Sequence, residues 1–274
     1  MEKYQKTWEV LFPYLLYYLA YNAAYLILAF AYQATVERFG GAYGQFMTAH
    51  AATVVGVMGG LCMLAGILPL LPMLKKELES RITAKRMTDP VNVVEQNGIN
   101  VIVLTVVLAV TASMGWNALL TLIGFTDSSQ TYQEVADRQY GVAFAVGLVL
   151  YGLISPLAEE IVFRGVIYNR LRRLYNPMIG IVASGVLFGV FHGNPVQGVY
   201  GACLGMLMAY LYEKSGKFGT SFLFHAVANL TVYTTARMEG VQAVLLTPVG
   251  CAVLLAVSAG CLWLVYRGSR AEHR

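Results

Sequence analysis

The sequence predicts an all-α polytopic membrane protein of about eight transmembrane helices, and three observations carry the prediction. Of 274 residues, 57% are hydrophobic and only 12% are charged, about half the ~25% charged share of ordinary soluble domains. The mean hydropathy is +0.59, so a soluble fold of this length could not hide its apolar surface. The remaining cations are sorted: of the 19 Lys and Arg, only Arg38, Arg138 and Arg237 fall outside one alternating set of connections.

Apolar spans run at roughly 10–32, 49–74, 98–125, 140–169, 177–194, 195–212, 218–236 and 241–266. The first follows Met1-Glu2-Lys3-Tyr4 and contains no small-residue cleavage site, so it is expected to stay as a helix. Lys3 and Lys6 precede it. The longest polar insertion, 75–97, holds Lys75, Lys76, Arg81, Lys85 and Arg86. There Leu74, Leu78 and Ile82 recur every four residues, which suits either a helix lying on the membrane surface or a solvated loop. Residues 126–139 read as a short loop on the opposite side. The segment 164–173 with its four Arg, then Lys214 and Lys217, then Arg267, Arg270 and Arg274 return to the first side. By the positive-inside rule the chain is a multi-pass protein of the cell membrane with both termini cytoplasmic. The basic excess therefore reports topology and contact with membrane lipids, and excludes a nucleic-acid partner. The chain reads as one structural domain, with N-terminal helices over 1–139, a catalytic-type portion over 140–236, and a last helix and tail over 237–274.

Cys62, Cys203, Cys251 and Cys261 sit inside apolar runs at no metal-binding spacing, as small buried hydrophobes do. The later half has its own texture: Gly185, Gly189 and Gly193 recur every four residues, and Gly201 and Gly205 repeat the pattern on the next span. Small residues at that spacing let helices approach closely in lipid, and a tight bundle can keep polar side chains away from it.

Polar groups inside a membrane are costly and mark candidate sites. Among 15 Asp and Glu, only Glu159 and Glu160 lie within an apolar span; of four His, His192 and His225 do. Glu160 and Arg164 are four apart in the favourable order for an ion pair on one helix face. Glu159 points about 100° away, which leaves it uncompensated and suited to accept a proton as a general base. Pro156 is expected to kink or restart the helix just upstream. Phe188 and His192 share a face, with the ring able to fix the imidazole rotamer. His225 and Asn229 also share a face and can address one small ligand, such as a water or an oxyanion. A lone membrane His is more often a satisfied interhelical hydrogen bond; the convergence of Glu, His, His and Asn from three helices is what raises these above that reading.

The ordered set Glu159-Glu160-x-x-x-Arg164, Phe188-x-x-x-His192 and His225-x-x-x-Asn229 resembles the signature of the CPBP family, the CAAX-protease and bacteriocin-processing membrane proteins also called the Abi family. The resemblance covers roughly 140–236. It implies an eight-helix intramembrane endopeptidase in which Glu159 activates a water. It likewise implies that His192, His225 and Asn229 position that water and stabilise the oxyanion, with Glu160 and Arg164 in support. The implied substrate is a membrane-associated protein or peptide of CAAX or bacteriocin/signal-peptide type, cut near the cytoplasmic leaflet. The alternatives are a non-catalytic immunity or scaffold protein and a proton-coupled transporter that uses Glu159 and the two His as a relay.

Two mechanisms compete for the same residues. Two His and a Glu are the ligand set of many catalytic zinc sites, so a divalent zinc on Glu159, His192 and His225 is the alternative. The second carboxylate that would act as base there is Glu160, which is committed to Arg164. The metal-free water is therefore favoured, with no cofactor expected. Depth poses a further question: His192 lies about 22 Å along its helix from Pro177, against about 16 Å for Glu159 from Arg170 and about 10 Å for His225 from Phe218. A tilted or recessed fifth helix would reconcile the three.

Overall fold

The computed structural model describes residues 2–88 and 101–270, with side chains for 4–83 and 101–267. His273, Arg274 and the end of the polar insertion lie outside the described residues. The fold is helical throughout: α1 Glu2–Phe39, α2 Gly41–Ala49, α3 Ala51–Ile67, α4 Leu71–Thr88, α5 Val101–Leu122 and α6 Gln130–Tyr140. One long helix over 144–174 comprises α7 Phe144–Val149, α8 Ser155–Glu160 and α9 Asn169–Leu174, joined by π-helical turns at Leu150–Ile154 and Ile161–Tyr168. Then come α10 Pro177–Phe191, α11 Pro195–Ser215, α12 Phe218–Thr235, α13 Glu239–Leu245 and α14 Pro248–Arg270.

The passages alternate in direction. α1, α5, α10 and α12 run one way; α3 with α4, the 144–174 helix, α11 and α14 run back. At one end, Glu77 binds Arg170 at 3.1 Å and Arg173 at 2.7 Å, while Glu213 binds Arg81 and Arg172, each at 2.9 Å. Arg170 also donates to the Glu9 carbonyl. This is the basic end, and both the start of α1 and the end of α14 belong to it. At the opposite end Thr53 accepts from the Ala143 amide, and Arg237 donates to the Tyr140 carbonyl.

Eight spans were expected, and eight passages correspond to them. Among the described residues, five helical stretches are long and apolar enough to cross a membrane: Tyr4–Phe39, Ala51–Thr83, Val101–Leu122, Phe144–Leu174 and Pro248–Arg267. The other three, α10, α11 and α12, are shorter or more polar. α11 and α12 are largely buried in protein, which lets them carry polar side chains, while α10 keeps an exposed apolar stripe of Met178, Val182, Val186 and Val190 and buries its other face.

Three local expectations change. The polar insertion is not a loop over its described part: it is helical through Thr88 and anchored to the bundle by Glu77, which is buried between Arg170 and Arg173. Residues 126–139 are not simply a loop. Ser129 accepts the Tyr132 amide as an N-cap and starts α6. Arg164, counted with the basic connections, is fully buried in the bundle and belongs to the site instead.

The glycine stripes do close the α10–α11 pair. A Cβ at Gly189 would lie 2.2 Å from the Gly198 carbonyl oxygen and 2.9 Å from the Ala202 side chain. Gly189→Ala is therefore expected to force the two helices apart, at an overpacking cost of about 1–3 kcal/mol. Thermal unfolding in detergent should show a lowered midpoint. Gly219→Ala, where nothing lies within 4 Å, should leave it unchanged.

Candidate active site

Glu159 and Glu160 close the short α8 segment, with a π-turn on either side. Pro156 cannot donate to the carbonyl four residues back, so the α pattern cannot run through it unbroken. A wider turn before it absorbs the mismatch. The helix continues instead of breaking, and π-turns rotate side chains out of the plain α register, a device common at functional sites.

Glu160 is fully buried and its charge is fixed from three sides. Arg164 Nη1 lies 2.9 Å from Oε1, a charge contact without hydrogen-bond alignment. The Ser221 hydroxyl donates to Oε2, and His225 Nδ1 lies 3.0 Å from Oε1. Arg164 in turn donates through Nη2 to the Gly205 carbonyl at 3.0 Å, and its guanidinium sits 4.5 Å over the Phe188 ring. The ion pair expected from the i, i+4 spacing forms. The hold on His225 was not expected.

These contacts assign the imidazole tautomers. A carboxylate only accepts, so His225 Nδ1 carries a proton toward Glu160 and Nε2 turns the other way. Nε2 faces Glu159 Oε2 at 3.6 Å. The other Glu159 oxygen accepts from Ser155 Oγ at 2.5 Å. His192 Nδ1 lies 2.8 Å from the Phe188 carbonyl and donates to it, leaving Nε2 toward the cavity. The Phe188 ring is edge-on to both imidazoles, with centroids 4.9 Å from His192 and 5.4 Å from His225. Asn229 donates one amide hydrogen to the Tyr151 carbonyl at 3.1 Å and keeps the other.

Glu159, His192, His225 and Asn229 all line one cavity of about 210 Å³, together with Tyr151 and Ser155. Its far wall is α6, through Tyr132, Ala136, Gln139 and Tyr140, and the start of α11, through Val196, Gln197 and Tyr200. His192, Glu159 and His225 meet on this cavity although they lie at different distances along their helices. α10 has only 15 residues, so it starts at the basic end and stops inside the bundle. His192 caps its end, on the α6 side of the cavity. Gly193 turns the chain with φ +71°, and the Asn194 side chain caps α11 by accepting from the Gln197 amide at 2.9 Å.

A zinc ion on Glu159, His192 and His225 would need the three to converge. Among the described residues, no group of three His, Cys, Asp or Glu side chains does so. The residues as arranged do not fit that metal.

Sequence reasoning did not single out Ser155, Ser221, the Tyr151 carbonyl or the α6 wall. For the two serines a signal existed: each lies four residues before a site residue, Ser155 before Glu159 and Ser221 before His225.

Fold and site together define a polytopic membrane protein with a carboxylate and two imidazoles sealed into its helical core. Residues 141–231 match the family model described as type II CAAX prenyl endopeptidase Rce1-like, and the segment contains every candidate site residue. The chain is also 23% identical over 121 residues to the protein of Bacillus subtilis (strain 168) named "Putative membrane peptidase YdiL". That match covers 44% of this chain and 48% of the relative, so the chain spans about half the length of the curated relative it matches. No solved structure matches. Both are similarities to membrane peptidases, and the family match falls on the segment that builds the site.

Proposed function

We propose that the protein is an intramembrane endopeptidase that hydrolyses a peptide bond of a membrane-associated protein with a water activated by Glu159. One observation carries the reading. Glu159 Oε2 and His225 Nε2 face each other 3.6 Å apart on a cavity wall, and with His225 neutral in this reading both are acceptors. A single water donating to both satisfies them and leaves its own lone pair aimed into the cavity.

Glu159 takes a proton from the water, and the oxygen bonds to the substrate carbonyl carbon, pushing the π pair onto the carbonyl oxygen. The free Asn229 amide hydrogen, and Nε2–H of His192 when protonated, stabilise the oxyanion in a site shielded from bulk water. As the carbonyl reforms, the C–N bond breaks and the proton on Glu159 passes to the leaving nitrogen. Glu160 does not titrate in this scheme. Held by Arg164 and Ser221, it keeps the His225 proton on Nδ1 and the Nε2 lone pair forward. Both ends of the described chain are cytoplasmic, because the basic end carries the excess of Lys and Arg.

Quantitative proteomics of membrane peptides from wild-type and Glu159→Gln cells tests the reading. Peptide termini present in the first and absent from the second are expected; identical profiles would instead favour a scaffold or immunity role. The metal question has its own measurement. Purified protein should hold well under one equivalent of zinc and keep cleaving after prolonged chelation. Activity lost to chelator and restored by stoichiometric zinc would decide for a metalloprotease.

A further inference from the structure

The cavity does not open toward the basic end. It shares Asn117, Thr126, Tyr132, Ala136, Tyr140 and Val232 with a second cavity of about 320 Å³. That second cavity continues past Thr235 and Gln242 to Leu246, between α5, α6, α12 and α13. These are the elements of the end opposite Arg170, Arg172, Arg173 and Glu213. In the other direction the site is closed by fully buried packing: Glu160, Arg164, Phe163, Val162 and Phe224 fill the core beneath it. Polar lining of the connected cavities comes from Asn, Thr, Gln and Tyr side chains, with Asp137 at the outer part, and Arg237 stands beside that outer part, 5.3 Å over the Tyr140 ring.

We infer that the substrate enters from the end formed by α6 and α13, so that the scissile bond belongs to a segment on the extracytoplasmic side of a membrane-tethered protein. The inference rests on the peptidase reading and on the basic end being cytoplasmic. It moves the cut away from the cytoplasmic leaflet expected from the sequence. It also gives α6 a role, as the wall along which an extended chain would have to pass.

Cysteine labelling of intact cells tests the entry face, with a membrane-impermeant maleimide as the probe and the wild-type protein as blank. Ala136→Cys, which lines both cavities, should label from outside. Lys75→Cys, on an exposed side chain at the basic end, should label only after permeabilisation. Modification of Ala136→Cys from outside should then lower the yield of Glu159-dependent peptide termini at least tenfold relative to the same variant before modification. Those termini should map to extracytoplasmic segments. Labelling of Ala136→Cys only from the cytoplasm, labelling of Lys75→Cys from outside, or termini clustered in cytosolic C-terminal tails would each overturn the inference. If no termini depend on Glu159, the peptidase reading falls and the substrate class with it, while the labelling still reports which face the cavity opens to.

Discussion

Glu159→Gln is expected to abolish cleavage while leaving the protein as stable as the wild type. Removing a general base costs about 10²- to 10⁴-fold in rate, which places the variant at or below the detection limit of most peptide assays. The fold should not suffer. The Gln carbonyl oxygen can accept from Ser155 as Oε1 does now, and the new amide N–H can donate to His225 Nε2 across the present 3.6 Å gap. Two facing acceptors become a donor and an acceptor, so the unfolding midpoint in detergent should stay level or rise slightly. A variant that cleaves at more than a tenth of the wild-type rate would remove Glu159 from the role of base.

Arg164→Ala should behave in the opposite way and fail as a folded protein. Its side chain is fully buried against Glu160, the Gly205 carbonyl and the Phe188 ring. Truncation leaves Glu160 ionised in the core with only Ser221 and His225 to hold it. Breaking one side of a buried ion pair costs about 3–5 kcal/mol, a large part of the ~5–15 kcal/mol that a typical domain has. Low expression and a collapsed midpoint in heated size-exclusion profiles are expected, together with loss of activity. Arg164→Lys, which keeps the charge but not the fork that reaches Gly205, should recover part of the stability. Wild-type melting of Arg164→Ala would show that the pair is not what holds this core together.

What the sequence made legible was the local part. Helix geometry alone brings Arg164 to Glu160, Phe188 to His192, and His225 to the face of Asn229, because residues four apart on one helix are neighbours whatever the tertiary fold. The alternation of cations also located the two ends of the bundle. Contacts between helices were not legible. Nothing in the spacing shows that Glu160 reaches across to His225, since that depends on how α12 docks against the 144–174 helix. The π-turns around Glu159 were equally hidden: Pro156 announces a disturbance, but a kink and a widened turn are alternative answers to it. Residues 126–139 were misread because α6 is short and polar, and its packing over the cavity has no signature in composition.

Phe188 has one more consequence. Its ring lies between a permanently charged guanidinium, 4.5 Å from one face, and two imidazoles standing edge-on to it. A hydrocarbon disc in that place acts as a seal against water. It keeps water in the cavity from reaching the guanidinium, so that the charge of Arg164 stays paired with Glu160 in the dry core while the wet chemistry runs on the other side of the ring.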